Sequence, residues 1–167
     1  RPLQLYTGRV AVEKNIAAFL ELETPGTKIV VGDGPQRSEL ERLFPDAVFV
    51  GEQHGEALAR HFAAADVFVF PSRTDTFGLV MLEALACGVP VAAYPVPGPL
   101  DVVGVNGPGC LDENLAAAVS VAMERATPAQ CRTHALEYSW ENCTDLFVSH
   151  LAAITYSAGA RAGAATD

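Results

Sequence analysis

The feature that most constrains this chain is the regular alternation of short apolar runs with longer amphipathic segments. Each apolar run is nearly continuous, which is typical of strands buried on both faces of a parallel sheet. The segments between them place apolar residues at helical spacing, as with Ile16, Phe19 and Leu20. We therefore predict an α/β fold with a doubly wound, Rossmann-like parallel sheet. The predicted strands are 3–10, 27–32, 47–51, 66–70 and 89–94, and the predicted helices between them are 13–23, 35–44, 55–65 and one that starts near Thr76 or Phe77.

The pattern changes after Tyr94. Residues 95–109 are rich in Pro and Gly and predict an ordered loop with one helical turn. Trp140 and Phe147, seven apart, share a helical face and are predicted to anchor a core or an interface. We predict one domain over residues 1–157 and a flexible tail of small and polar residues over 158–167. Helical patterns cover about 113–125, 127–137 and 140–155.

Charge and cysteine content exclude several classes of protein. The net charge is −9, with 20 acidic and 11 basic residues, which argues against a nucleic-acid partner because such binding depends on clustered Lys and Arg. No apolar run approaches the ~18 residues of a membrane span. The four cysteines show no metal-binding spacing with the histidines, so we predict free thiols in a reducing compartment, no metal and no cofactor.

Polar and charged residues follow the carboxyl ends of the predicted strands, where doubly wound folds bind their ligands. Arg9 and Lys14 follow the first strand, and the segment 32–35, "GDGP", follows the second. Gly51-Glu52 follows the third strand, and the fourth leads into 71–79, "PSRTDTFGL". All of these residues are therefore expected on one rim of the sheet.

The helix start within 71–79 is predicted to bind phosphate. Its first N–H groups have no partner inside the helix, and the helix dipole adds partial positive charge there. Gly78, placed in the first turn, would let a ligand approach the backbone closely. Arg9 and Lys14 could supply the counter-charges for a diphosphate.

Asp75 stands before this helix and Glu83 inside it, so an acid is expected on either side of a bound diphosphate. Carboxylates accept hydrogen bonds from vicinal hydroxyls. The layout fits the ribose, the two phosphates and the hexose of a nucleotide diphosphate sugar. Each residue alone has a simpler interpretation: a helix cap for Asp75, a solvated side chain for Glu83, surface charges for Arg9 and Lys14, and a plain turn for "GDGP".

Four segments in order, "GRVAVEKNI", "VVGDGPQRSEL", "ADVFVFPS" and "PSRTDTFGLVMLEALACGVPVAA", resemble the C-terminal, donor-binding half of a GT-B fold retaining glycosyltransferase of family 4. The resemblance covers about residues 6–104. The family carries two acids separated by seven residues, and here the pair is Asp75 and Glu83, with Asp where Glu is usual. The resemblance implies that Asp75 contacts the transferred hexose and that Glu83 contacts the ribose hydroxyls.

The same resemblance implies a reaction and a set of site residues. A hexose would move from GDP-mannose or a UDP-hexose to an acceptor with retention at the anomeric carbon, commonly without a metal. Asp75, Arg9 and Lys14 would be the catalytic residues, the base would lie near Val50 and Gly51, and the start of the helix would hold the phosphates. The implied donor-binding residues are Gly8, Arg9, Lys14, Gly32, Asp33, Gly34, Val50, Gly51, Asp75, Thr76, Phe77, Gly78, Leu79 and Glu83.

A GT-B enzyme also has an N-terminal domain that binds the acceptor, and this sequence contains no such half. The chain does not begin with Met, and we expect it to be a fragment that is inactive alone. The acceptor, a lipid or a saccharide, would bind through the missing domain. The expected location is cytoplasmic, with the full-length protein peripheral at the inner membrane face.

Two alternatives stay open: a GT-B epimerase or phosphorylase relative, and a non-catalytic sugar-nucleotide-binding module. A NAD-type dinucleotide-binding domain is disfavoured. It needs G-x-G-x-x-G after the first strand, where only Gly8 is present, and "GDGPQRSEL" lacks the third glycine.

Overall fold

The computed structural model describes residues 2–151 and contains one parallel sheet of six strands. The strands are β1 (Leu3–Thr7), β2 (Thr27–Val31), β3 (Val48–Gly51), β4 (Val67–Phe70), β5 (Val91–Ala93) and β6 (Gly109–Leu111). Their order across the sheet is β3-β2-β1-β4-β5-β6, and every neighbouring pair is parallel. The chain winds outward from β1 to β3 and then from β4 to β6, which confirms the predicted doubly wound fold.

Helices cover both faces of this sheet, as parallel strands require. A short 3-10 turn, Val12–Lys14, follows β1. The helices are α1 (Ile16–Leu20), α2 (Arg37–Leu43), α3 (Gly55–Ala64), α4 (Leu79–Ala86), α5 (Pro97–Val102), α6 (Leu115–Arg125), α7 (Pro128–Leu136) and α8 (Trp140–Ser149). None of the helices within residues 2–151 is long and apolar enough to cross a bilayer.

Strand β4 shows how the sequence builds two cores on one sheet. Val67 and Val69 pack into a cluster with residues of α1 and α6 on one face. Phe68 and Phe70 alternate with them and pack with α4 on the other face. The ring of Phe68 lies 5.7 Å from that of Phe62 in α3. Full burial of each such side chain contributes about 1.5–3 kcal/mol, so β4 is held firmly at the centre of the sheet.

The sequence does not predict strand β6, since the predicted Pro- and Gly-rich loop runs to residue 109 and the next predicted helix starts at about 113. The helical turn is α5, which begins at Pro97. The sixth strand consists of Gly109–Leu111 and pairs with β5 through the backbone, Val91 opposite Gly109 and Ala93 opposite Leu111. A three-residue strand that begins with Gly carries too little apolar pattern to be seen in the sequence.

The predicted start of the fourth helix near Thr76 or Phe77 is wrong. Helix α4 begins at Leu79, and Gly78 is its N-cap, with φ +84, instead of a residue of the first turn. A left-handed residue cannot continue a right-handed helix, so the helix must begin after it. A Cβ at Gly78 would lie 2.7 Å from the Cε of Met81, which shows that only glycine fits here without displacement.

The last predicted helix, 140–155, is observed only in part. Helix α8 ends at Ser149, and residues 152–155, like the predicted tail 158–167, lie outside the described residues. Trp140 is 87% exposed and Phe147 is 65% exposed. The prediction that they anchor a core is therefore wrong for the part of the chain that the structure describes, since nothing there covers them. An interface at this face stays a prediction.

Candidate functional site

A cavity of about 810 Å³ lies beyond the carboxyl ends of the strands. It sits where the strand order reverses, between the loops that follow β1 and β4, the place at which doubly wound folds bind ligands. Most of the predicted site residues line it: Gly8, Arg9, Lys14, Gly32, Asp33, Asp75, Gly78, Leu79 and Glu83.

The other predicted site residues, Gly34, Val50, Gly51, Thr76 and Phe77, lie close to this cavity without lining it. Gly34 packs against the backbone of the β1 loop, and the Val50 side chain packs into a core cluster. The carbonyl of Gly51 accepts a hydrogen bond of 2.8 Å from the Gly32 N–H. Thr76 is exposed, and the ring of Phe77 lies 6.3 Å from that of Tyr138.

The loops that follow β1 and β2 touch through glycine. Gly32 has φ +145, and a Cβ there would lie 1.9 Å from the carbonyl oxygen of Gly8. The N–H of Gly8 donates to the carbonyl of Val31 at 3.0 Å, and the N–H of Val10 donates to the carbonyl of Asp33 at 2.8 Å. The "GDGP" segment is therefore a turn that also packs closely against the loop after β1.

Tyr6, in β1, is almost completely buried and also lines the cavity. Its hydroxyl donates a hydrogen bond of 2.9 Å to the carbonyl of Arg9, which ties the loop after β1 to that strand. Burial raises the pKa of Tyr6 far above its ordinary value, and the carboxylates of Asp75 and Glu13 raise it further. The hydroxyl is therefore neutral and acts as a donor at every physiological pH.

Lys14 and Asp75 form the central ion pair of the cavity. The Lys14 Nζ donates to Oδ1 of Asp75, and both side chains are largely shielded from water. The other carboxylate oxygen, Oδ2, is buried and has no hydrogen-bond partner among residues 2–151. A buried carboxylate oxygen without a donor is costly, so Oδ2 is the unsatisfied acceptor of this ion pair. Asp75 does not cap α4, because the N-cap is Gly78.

Arg9 lies further out. Its side chain is two-thirds exposed and pairs with Glu13 across 3.6 Å. An exposed pair of this kind contributes little stability and is exchanged easily for another partner. The guanidinium is therefore free to turn toward an anion in the cavity.

The start of α4 forms one wall of the cavity. No side chain caps it, and Gly78, Leu79 and Val80 all line the cavity. The unpaired N–H groups and the helix dipole make this wall favourable for anions. Glu83 follows one turn later, on the exposed edge of the same helix, and also lines the cavity. Partial desolvation raises the pKa of the Glu83 carboxyl.

Sequence reasoning missed several lining residues. Tyr6 was assigned to a strand, and Glu13 was passed over although it stands beside Lys14. His54 is exposed and lines the cavity beside Glu52 and Gln53. The position directly after β3, where the sequence already placed Glu52, was the available signal for Gln53 and His54. No three His, Cys, Asp or Glu side chains of the described residues cluster so as to hold a metal ion.

Solved structures with the same architecture are glycosyltransferases. The catalytic domain of cholesterol-alpha-glucosyltransferase from Helicobacter pylori superposes with a TM-score of 0.67 at 17% identity, over 83% of this chain and 100% of that one. A pneumococcal O-GlcNAc transferase, in complex with UDP and GlcNAc, superposes with a TM-score of 0.70 at 18% identity, over 89% of this chain and 35% of that one. At such identities the likeness defines the fold, which is the Rossmann-like domain of GT-B glycosyltransferases.

Sequence comparison defines the family. Residues 1–126 match the sequence model described as "Glycosyl transferases group 1". A GDP-mannose-dependent alpha-mannosyltransferase of Mycolicibacterium smegmatis is 36% identical over 164 residues, which are 92% of this chain and 44% of that protein. A D-inositol 3-phosphate glycosyltransferase of Geodermatophilus obscurus is 42% identical over 108 residues, 60% of this chain and 24% of that protein. The chain belongs to the group 1 glycosyltransferases, and it spans less than half the length of these relatives.

Proposed function

We propose that this chain is the donor-binding domain, residues 1–157, of a retaining hexosyltransferase that takes its hexose from GDP-mannose. The observation that carries the proposal is the Lys14–Asp75 pair at the start of α4, with an unpartnered carboxylate oxygen on Asp75. This arrangement offers positive charge for a diphosphate and an acceptor for a sugar hydroxyl in one cavity.

The diphosphate is assigned to the wall formed by the start of α4. Lys14 and Arg9 face it from the β1 loop, so the developing negative charge on the leaving diphosphate meets two cations and a helix N-terminus. Since Arg9 pairs only loosely with Glu13, it can move to the phosphates with little loss of stability.

The two acids are assigned to the two sugars. Asp75 would turn its carboxylate toward the cavity and accept from a hydroxyl of the hexose, and Glu83, one turn into α4, would accept from the ribose hydroxyls. The base would lie at the end of β3, near Val50 and Gly51. GDP-mannose is preferred over a UDP-hexose because several relatives, among them the one from M. smegmatis, are named as GDP-mannose-dependent.

The remaining parts of the proposal concern the whole protein. Since relatives are more than twice as long as this chain, we assign the acceptor, a lipid or a saccharide, to a further domain. The isolated chain would bind donor nucleotide and transfer little. All four cysteines are free, which supports a reducing, cytoplasmic location.

The test is calorimetric titration of the chain with GDP, UDP and NAD. We expect GDP to bind, UDP to bind more weakly and NAD not to bind. Glu83→Ala should weaken GDP binding about tenfold or more, because a charged acceptor for the ribose is lost. Glu124→Ala, an exposed acid of α6 that does not line the cavity, is the matched control and should bind GDP as the native chain does. Absence of both GDP and UDP binding at millimolar concentration would refute the donor site.

A further inference from the structure

Asn15 has a left-handed backbone conformation, which few non-glycine residues adopt. With φ +54 and ψ +37 it is the one non-glycine residue with positive φ among residues 2–151. It links the 3-10 turn Val12–Lys14 to α1, and its N–H donates to the carbonyl of Val12 at 3.0 Å. The left-handed conformation costs an L-residue about 1 kcal/mol, which glycine would avoid. Asn is among the non-glycine residues that adopt this conformation most readily, so the role of its side chain has to be argued from its contacts.

The Asn15 side chain reaches across to the loop that carries Asp75. Its Nδ2 donates a hydrogen bond of 3.1 Å to the carbonyl of Pro71, the first residue after β4. Asn15 is half-buried and Pro71 is buried, so water competes little for this bond. The contact joins the loops that follow β1 and β4, which are neighbouring strands.

The two residues before Asn15 contact the same loop. The side chain of Lys14 pairs with Asp75. The carbonyl of Glu13 accepts long hydrogen bonds from the hydroxyls of Ser72, at 3.4 Å, and Thr74, at 3.5 Å. Three consecutive residues are thus joined to a five-residue loop, and the Asn15 bond is the shortest of the contacts that involve no charge. It holds the loop at the end opposite to Asp75.

We propose that Asn15 is a positioning residue for donor binding: its bond to Pro71 fixes the separation of the two loops and thereby holds Lys14 and Asp75 at the start of α4. The inference rests on the proposed function, because it assumes that Lys14 meets the donor diphosphate. A lysine side chain loses up to about 2 kcal/mol of rotamer entropy when it is ordered. A loop already fixed by Asn15 bears part of that cost before the nucleotide arrives.

Asn15→Gly isolates the side chain from the backbone. Glycine adopts the left-handed conformation without strain, so the variant folds and loses only the bond to Pro71. Asn15→Asp keeps a side chain of the same size, which also tolerates positive φ, but a carboxylate cannot donate to a carbonyl. The control is Ser120→Ala in α6, which removes another side-chain-to-carbonyl bond, the 3.2 Å bond from the exposed Ser120 hydroxyl to Ala116, at a residue that does not line the cavity.

The measurement is the affinity for GDP, by calorimetry, of these variants with and without Lys14→Ala. Asn15→Gly and Asn15→Asp should each weaken GDP binding by roughly two- to tenfold, the value of one net hydrogen bond. In the Lys14→Ala background the further loss from Asn15→Gly should shrink to less than about twofold, because residues that act together are not additive. Ser120→Ala should leave the affinity unchanged.

An equal loss from Asn15→Gly with and without Lys14 would overturn the inference, since Asn15 would then act on the fold alone. Native affinity in Asn15→Gly would overturn it as well. Both results would leave the donor site intact, provided that Lys14→Ala weakens GDP binding. If Lys14→Ala bound GDP as tightly as the native chain, the proposed function and this inference would fall together.

Discussion

Replacing Gly32 with alanine tests the close approach of the loops that follow β1 and β2. The new Cβ would lie 1.9 Å from the carbonyl oxygen of Gly8 and 2.9 Å from its carbonyl carbon. Both are backbone atoms, so the loops must separate by about 1.5 Å to reach an ordinary contact. The φ of +145 is also strained for any L side chain. Backbone strain of about 1–2 kcal/mol and overpacking of about 1–3 kcal/mol predict a loss of about 3 kcal/mol in the free energy of unfolding.

Thermal unfolding and GDP titration measure the two consequences. The Tm of Gly32→Ala should fall by about 6–12 °C. GDP affinity should fall at least about tenfold, because Gly8 and Arg9 move away from the phosphates. Gly55→Ala is the control: Gly55 has φ +53, but nothing lies within 4 Å of a Cβ there, so only the backbone cost of about 1 kcal/mol remains. Equal Tm values for the two variants would refute the steric argument.

Two further predictions concern ionisable groups. Glu83→Gln should be more stable than the native chain at pH 7 by roughly a few tenths of a kcal/mol, since the carboxyl is partly desolvated yet exposed. Because the pKa of Glu83 is raised in the folded chain, the folded state binds the proton more tightly than the unfolded state, and the advantage of Gln should vanish as the pH falls through the raised pKa to the ordinary value of 4.5. Urea unfolding of both proteins at several pH values measures this difference in stability. A stability advantage of Glu83→Gln that grew on acidification would contradict the prediction. Burial raises the pKa of the Cys131 thiol to about 11, so at pH 8 a thiol reagent should label exposed Cys143 at once and Cys131 only after unfolding. Mass spectrometry of the labelled chain identifies which thiol has reacted, and prompt labelling of Cys131 would contradict its burial.

Strands β1 to β5 could be predicted because each lies within a largely continuous apolar run of the sequence. Strand β4 is the clearest case, with all four of its residues buried. Strand β6 lacked that signal, since its three residues include one glycine and are placed by backbone pairing with β5. For helix α8 the sequence predicted more than the structure shows. Trp140 and Phe147 have the spacing of a common face, but spacing does not say what covers that face, and both are exposed here.

Nine of the fourteen residues predicted from the sequence line the cavity, but the contacts between them could not be predicted. Local sequence places Lys14 after β1 and Asp75 after β4 without stating that the two strands are neighbours. The reversal of strand order in doubly wound sheets supplies that step, because it brings the loops after β1 and β4 to one crevice. Direct pairing of Lys14 with Asp75 depends on side-chain reach, and the bond from Asn15 to Pro71 depends on a left-handed residue that no local pattern marks.

This difference follows from how the interactions arise. Apolar periodicity is repeated over many residues, so several residues of the sequence indicate each helix or strand. A contact between two loops depends on single residues such as Gly32 and Asn15, and the role of each depends on which atoms of the other loop lie opposite it. Gly32 is a glycine because the carbonyl of Gly8 stands 1.9 Å from where its Cβ would be, and the amide of Asn15 matters because the carbonyl of Pro71 lies opposite it. The residues that shape the cavity are therefore the ones for which three-dimensional structure adds most to the sequence.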